Sequence, residues 1–591
     1  MSNKVKVSFG RIFWPSLVAS IVTLIILGFV FSAVIGSLIG GKPVYSTGSD
    51  AILHMKLSGQ IGEVSDSDFD PMTFNIKSKA GLSEILYGLE RAASDDNIKG
   101  LYLEISNPQC GYATATEIRN AINKFEASGK FVVAYHQGEA IGLKSYYIAS
   151  AANESYGFPS SMFEFVGLGA ELMFYKGMFD KLDLEMQVIR GSNNHFKSAV
   201  EPYFLEKMSD SSRLQISRYL ESIWEDLREN MGSDRNVTAT DLNMYADSTL
   251  IRRVKDAVDY KLIDDVKYRD EVLQLLTEKV DAKSVDDLNL TNFNRYAQKK
   301  FLANQNIIRG KKPNIAVILA EGGVVKKGDG LSSEKINKMI REARNDENIK
   351  AIVFRVNSPG GSALASDEIW REVMLAKAEK PVIVSMGDVA ASGGYYIAAP
   401  ATKIFAESTT ITGSIGVFGV IPYTGAMLEN KLGLSFDRVG TNKRSVLSTN
   451  QKLSNDEFSI VQEEVDFIYD QFLDRVSEGR GMSKEAVNEI ARGRVWTGKD
   501  AVKNGLVDEL GGIQEAINFA LKEVEIDSSD AKVAYYPKRK VEPWIEIIEA
   551  FENNEDKDAG IPEELIEYYQ LLKNIEQRIG IQARLPYDIK L

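Results

Sequence analysis

Ser392 lies in the most chemically suggestive stretch of the chain, Gly387-Asp388-Val389-Ala390-Ala391-Ser392-Gly393-Gly394-Tyr395-Tyr396, a small-residue run that follows the apolar segment Pro381 to Ser385 and opens a helix. A serine at a helix start is by default a cap, its oxygen taking an orphan backbone N–H. The functional alternative is that small neighbours leave Oγ accessible as a nucleophile. Upstream, Ile352 to Val356 reads as a buried strand and runs into Asn357-Ser358-Pro359-Gly360-Gly361-Ser362. Two glycines between a strand and a helix permit positive φ and close backbone approach, so the Gly361 N–H, together with that of Gly393, could hold an oxyanion. Such glycine pairs also make tight turns that bind nothing.

A nucleophilic serine needs a base, and histidine is scarce: only His54, His136 and His195 occur. That leaves little material for a Ser-His-Asp triad or a His-rich metal site. The single cysteine, Cys110, excludes an intrachain disulfide and a cysteine metal cluster. No metal and no cofactor are expected. A lysine remains, in Asn194-His195-Phe196-Lys197-Ser198-Ala199-Val200-Glu201-Pro202. A loop lysine is ordinarily a solvated charge, but Phe196, Ala199 and Val200 beside Lys197 offer desolvation, which disfavours the ammonium and yields an amine able to take a serine proton. A shift from ~10.4 to ~7 corresponds to about 4 to 5 kcal/mol, which demands near-complete exclusion of water.

The elements that must position these residues come in two copies. Asn97 to Ile105 resembles Asn348 to Val356 at an offset of 251 (348 − 97), and Tyr146-Tyr147-Ile148-Ala149 resembles Tyr395-Tyr396-Ile397-Ala398 at 249 (395 − 146). Ala257, Leu262 and Asp264 likewise match Ala501, Leu506 and Asp508. Both copies alternate apolar β-branched runs (Phe131 to Ala134; Pro381 to Val384) with amphipathic stretches (Ala113 to Phe125; Ala363 to Ala376), which predicts an α/β fold with mainly parallel sheets, twice. The copies diverge at the reactive positions. Where the second has Ser392 the first has Leu143, and where the first has Lys197 the second offers only Thr441 to Leu447, with Lys443 and Arg444.

With 591 residues, a single small core is ruled out, and 44% hydrophobic with 26% charged residues is ordinary globular usage. The net charge of −13 argues against a nucleic-acid partner. No charged residue falls between Arg11 and Lys42, a run longer than the ~20 residues a helix needs to cross a bilayer. It is too long for an ordinary signal peptide and lacks the polar face of a core helix, so an uncleaved anchor is the favoured reading, with cleavage near Ala33, Ser37 or the Gly40-Gly41 pair as the alternative. Lys4, Lys6 and Arg11 before the span keep the N-terminus cytoplasmic and place the rest of the chain outside. The expected organisation is 1–45 cytoplasmic N-terminus and anchor, 46–300 first repeat, 301–540 second repeat, and 541–591 an acidic extension. A polar linker is expected at Asn292 to Lys312, mobility at Glu552 to Asp558, and a peripheral helix from Pro562.

The motifs Asn357-Ser358-Pro359-Gly360-Gly361, Gly387 to Tyr396, Thr412-Gly413-Ser414-Ile415-Gly416 and Gly493-Arg494-Val495-Trp496-Thr497-Gly498 resemble those of the signal peptide peptidase A family in its long, duplicated, membrane-anchored form. The resemblance covers nearly the whole chain after the anchor. It implies tandem Clp-protease/crotonase-like domains and a serine/lysine dyad protease that degrades leftover signal peptides and other apolar peptides. The serine comes from the second repeat, here Ser392, and the lysine from the first, here Lys197, with Ser414 hydrogen-bonding the lysine. It further implies a homo-oligomer, commonly a tetramer, held in the inner membrane by a single span with its catalytic region extracytoplasmic. The competing readings are a catalytically silent scaffold, an acyl-CoA enzyme of the crotonase type, and a broader envelope protease.

Overall fold

The computed structural model describes residues 48–64, 66–70, 75–79, 81–307, 312–537 and 580–584. The apolar N-terminal segment, the Glu552 to Asp558 stretch and the helix expected from Pro562 lie outside the described residues. Among the described residues no helix is long and apolar enough to cross a membrane.

The first repeat supplies, among others, β1 (Ala51–Gln60), α1 (Leu82–Ala93), β2 (Ile98–Gln109), α2 (Tyr112–Glu126), β3 (Phe131–His136), α3 (Leu143–Ala149), β4 (Glu154–Gly157), α4 (Lys176–Leu182), β5 (Glu185–Arg190), α5 (Asp210–Arg235), β6 (Asp265–Val266) and β7 (Leu290–Asn292). Six of these strands form a parallel sheet in the order β6-β4-β3-β2-β1-β7. Its middle strand β2 is buried on both faces, with Leu101, Tyr102, Leu103 and Ile105 all but inaccessible, as a helix-covered parallel strand must be.

The segment expected to be a polar linker is instead a helix, α6 (Phe293–Ile307). Phe293, Tyr296, Ala297 and Phe301 recur at helical spacing, and all four are buried. They pack over α1, where Gly88 has no side chain to collide with Ala297. The basic, amide-rich remainder of the segment masks that stripe in any reading by composition.

The second repeat follows with β8 (Ile315–Glu321), β9 (Val324–Val325), β10 (Leu331–Ser332), β11 (Ala351–Ser358), β12 (Gly360–Ser362), α7 (Ala363–Lys377), β13 (Val382–Ala391), α8 (Gly393–Ala398), β14 (Lys403–Ala406), β15 (Ile411–Gly413), β16 (Phe418–Tyr423), α9 (Gly425–Leu432), α10 (Asn455–Arg480), β17 (Val495–Thr497), β18 (Glu509–Leu510), α11 (Ile513–Glu523) and β19 (Val533–Tyr536). Its main sheet runs β17-β15-β13-β11-β8-β19, with β14 beside β13 and β18 beside β14. The repetition is visible element by element: α3 answers α8, α4 answers α9, and α5 and α10 are both 26 residues long.

A third sheet, β10-β9-β12-β20-β16-β5, is built from both repeats and from β20 (Gly580–Arg584), a strand near the end of the chain. The hydrophobic cores interpenetrate in the same way: Ala391, Ile411 and Val495 belong to the first repeat's core, and Ile189 to the second's.

Buried charge crosses the same boundary. Arg355 of β11 is wholly inaccessible and pairs with Glu63 (2.9 Å) and Glu117 (2.5 Å) of the first repeat. Burial pushes Glu63 up to about 7, against the opposing pull of Arg355. Removing one partner from such a group leaves an uncompensated buried charge, a loss of about 3 to 5 kcal/mol. The two repeats therefore fold against each other as one body.

Candidate active site

Ser392 stands at the junction of β13 and α8 with φ 55° and ψ −117°, a left-handed conformation that costs a non-glycine residue about 1 to 3 kcal/mol. Its backbone is held on both sides: its N–H donates to Gly413 O (2.8 Å), and its carbonyl accepts from Tyr396 N–H (2.9 Å). At the head of α8 its side chain makes no capping hydrogen bond. The default role of a serine there is absent, and Oγ is directed elsewhere.

It is directed at Lys197. Nζ lies 2.8 Å from Ser392 Oγ, 2.8 Å from Ser414 O and 3.0 Å from Ser414 Oγ. All three side chains are 0% exposed. None of the three groups on Nζ is a carboxylate, so nothing repays the cost of burying an ammonium, and burial holds the amine well below the ordinary lysine value. A neutral amine has two N–H donors and one lone pair. Ser414 offers two acceptors, which leaves the lone pair for the Ser392 hydroxyl.

The first repeat delivers Lys197 into the second by extending β16 with β5: Phe418 pairs with Arg190 and Tyr423 with Glu185, antiparallel. Beyond β5 the chain is tied down at each step. Gly191 N–H and Asn194 Nδ2 both donate to Val417 O (3.1 Å each), and Phe196 N–H donates to Arg492 O (3.0 Å). Gln215 of α5 donates to Phe196 O (3.0 Å) and Ser198 Oγ (2.8 Å), while its carbonyl oxygen accepts from Val495 N–H (3.2 Å). Gly493, with φ 79°, lies so close that a Cβ there would fall 2.6 Å from both N and Cβ of Lys197. Ser414 is fixed in its own left-handed conformation (φ 50°) by donating its N–H to Arg494 O (2.7 Å).

Gly361 lies in β12, where a Cβ would meet Val324 O at 2.2 Å, so only glycine fits. Gly360 before it has φ 94°, and its N–H donates to Ser358 Oγ (3.2 Å). Gly393 is the first residue of α8, and its N–H is one of the donors that a helix leaves without an internal acceptor. Leu143, the first-repeat counterpart of Ser392, opens α3 as a buried hydrophobe. Lys443 and Arg444 are exposed and paired with Asp456 (3.0 and 3.4 Å), and His195 faces solvent.

Sequence reasoning passed over Asp388, Asn194, Gln215 and Gly493. Asp388 lay within a quoted motif, and an acidic residue in a strand-to-helix turn is a capping signal; the surprise is that it caps the other repeat. Nothing in the sequence distinguishes Gln215 from the other polar positions of its long helix.

Residues 124–283 and 374–527 match peptidase family S49, one range in each repeat. The serine protease SPPA of Arabidopsis thaliana chloroplasts is 32% identical over 551 residues, 90% of this chain and 77% of that protein. Protease 4 of Haemophilus influenzae is 34% identical over 527 residues, covering 85% and 84% respectively. Among solved structures, a ClpP1 mutant from Listeria monocytogenes aligns with 36% of this chain and 99% of its own at 17% identity and a TM-score of 0.25. With both repeats matched and relatives of this identity spanning most of both chains, the protein belongs to peptidase family S49 and is a serine protease.

Proposed function

We propose that Ser392 is the nucleophile and Lys197 the general base of a membrane-anchored protease that degrades leftover signal peptides. The observation that carries this reading is the buried Lys197 amine, 2.8 Å from Ser392 Oγ and without a carboxylate partner. Nζ removes the hydroxyl proton as Oγ attacks the peptide carbonyl, and the Gly361 and Gly393 amides hold the developing oxyanion. Lys197 then protonates the leaving amine, and water hydrolyses the acyl ester by the same steps in reverse. Ser414 orients the amine throughout.

The apolar run between Arg11 and Lys42 supports anchoring in the inner membrane with the catalytic region extracytoplasmic. Apolar signal peptides are what a protease so tethered would meet. A mixture of signal peptides and an unfolded polar protein, incubated with wild type and with Ser392→Ala, tests the reading by mass spectrometry of the products. Signal-peptide fragments made by wild type alone are the expected result. Fragments from the polar protein at equal rate favour a broader envelope protease, and fragments from the Ser392→Ala variant sink the nucleophile assignment.

Self-association into a head-to-tail ring, of four copies in the family that this chain resembles, is the remaining part of the proposal. Within the chain, β16 of the second repeat pairs with β5 of the first. By the repeat, residues 169–174 answer β16 and 435–440 answer β5; neither forms a strand, and Met173, Phe436 and Val439 stand exposed. Joining these two segments between copies repeats the internal junction and leaves no open end in a closed ring. Light scattering of a Val439→Asp variant is expected to show dissociation; an unchanged mass puts the interface elsewhere.

A further inference from the structure

A cavity of about 420 Å³ opens where the repeats meet, lined by α1 and α2 of the first, by α11 of the second and by Glu407, the residue after β14. Its volume falls within the range of small-molecule sites. Leu86, Leu89, Ala121 and Phe125 give it apolar walls. Four carboxyl groups, those of Glu90, Glu117, Glu407 and Glu515, line it as well, against a single cation, Lys124. Two of the four are already engaged. Glu117 accepts from Arg355 (2.5 Å) and Ile513 N–H (2.8 Å), and Glu515 accepts from Lys124 (2.9 Å) and Gly512 N–H (3.0 Å). Glu407 is 6% exposed, yet its carboxyl makes no hydrogen bond or ion pair among the described residues. Native proteins leave few buried polar groups in that condition, because each costs free energy.

We propose that this cavity binds a primary ammonium carried on a short apolar body, with Glu407 as the carboxylate that receives it. The charged groups facing Glu407 are Glu117 on α2, Glu515 on α11, Asp226 on α5 and Arg355 on β11. Three are acidic, and Arg355 is already held by Glu63 and Glu117. Burial, reinforced by Glu117, holds the Glu407 carboxyl well above the ordinary carboxylate value. An arriving ammonium supplies the missing cation, so Glu407 gives up its proton and pairs with it. The apolar body covers the leucines and Phe125. An anion would meet four carboxyl groups, and no cluster of side chains able to hold a metal ion occurs among the described residues. Two sources present this chemistry, a free alkylamine and the N-terminus of a short apolar peptide. Because the walls come from both repeats, an occupant ties them together and stabilises the fold by mass action.

The test is calorimetric titration of the full-length chain, carrying Ser392→Ala so that no peptide is consumed, with hexylamine, hexan-1-ol and leucyl-leucinamide as probes. Hexylamine is expected to bind at least about tenfold more tightly than hexan-1-ol, the worth of a charge-assisted hydrogen bond. Its heat at neutral pH is expected to vary with the ionisation enthalpy of the buffer, which reports the proton leaving Glu407. Adding Glu407→Gln is expected to erase the preference for the amine. Adding Ala121→Phe, which fills the cavity and leaves Glu407 in place, is expected to remove binding of both. Leucyl-leucinamide binding with the same dependence on Glu407 identifies a peptide terminus as a source; binding of hexylamine alone identifies a free amine. Equal affinity for hexylamine and hexan-1-ol, or amine binding unchanged in the Glu407→Gln and Ala121→Phe proteins, overturns the proposal. So does the absence of binding by every probe, which leaves the cavity to water. Neither result bears on Ser392 or Lys197.

Discussion

Asp388 of the second repeat caps a helix of the first: its carboxylate accepts from Gly111 N–H (2.9 Å), Thr114 N–H (2.8 Å) and Thr114 Oγ1 (2.8 Å) at the start of α2. Four residues later comes Ser392. The turn that presents Ser392 is thereby braced against the repeat that supplies Lys197. Asp388→Ala is expected to lower stability by about 1 to 2 kcal/mol, the usual worth of an N-cap, and to reduce kcat more than KM because it loosens the strained Ser392 backbone. Denaturant unfolding read beside steady-state kinetics checks both; a variant with normal kcat would mean that the brace does not reach the site.

Gly493→Ala places a methyl group 2.6 Å from Lys197 N and Cβ at a backbone with φ 79°. The lysine must move to accommodate it. Activity is expected to fall by about a hundredfold or more, the scale of a 1 Å misplacement in a catalytic constellation, with a smaller loss of stability. Retained activity would show that the close approach is incidental.

Lys197→Met keeps the volume and removes the buried amine. In the folded chain the amine loses its proton well below the ordinary ~10.4 that it shows unfolded. Between those two values the unfolded state binds the extra proton, so wild-type stability rises with pH across that window, and below it the full desolvation penalty applies. The variant is expected to be inactive yet to unfold at a midpoint higher by about 2 to 4 °C at neutral pH, with that pH slope gone. A destabilised variant would mean that the amine's hydrogen bonds outweigh its burial.

Glu63 gives a slope of opposite sign. Its folded value, raised to about 7, exceeds the ordinary 4.5, so the folded state holds more protons than the unfolded one between them, and stability falls as pH rises from 4.5 to about 7. Glu63→Gln is expected to flatten the dependence in that interval, as thermal unfolding across a pH series would report. An undiminished slope would assign it to other buried carboxylates, Glu117 or Glu407, which burial also raises.

The α/β class and the duplication were legible in the sequence because parallel, helix-covered strands are continuously apolar: Ile352 to Val356 and Phe131 to Ala134 cannot be read otherwise. Ser392 and Lys197, which the structure brings within 2.8 Å of each other, stood out as candidates through the mismatch between copies, each repeat keeping what the other lacks. Burial of Lys197 was not, because its walls come from Ser414, Gly493 and Gln215, residues distant in sequence whose roles exist only once β5 joins β16. Helix α6 was hidden by its basic exterior. The β20 strand was hidden for another reason: five residues in an acidic extension carry no periodicity to reveal a pairing made entirely by backbone.

The central claim is that an uncharged Lys197 amine activates Ser392. Its most direct test is the rate at which a small fluorophosphonate phosphonylates Ser392, fluoride leaving, followed by mass spectrometry across a pH series in wild type and in Lys197→Ala. The expected wild-type rate climbs through a single ionisation centred below the ordinary lysine value of ~10.4, and the variant reacts at least about a hundredfold more slowly with no such step. Equal rates and the same profile in both proteins would contradict the account.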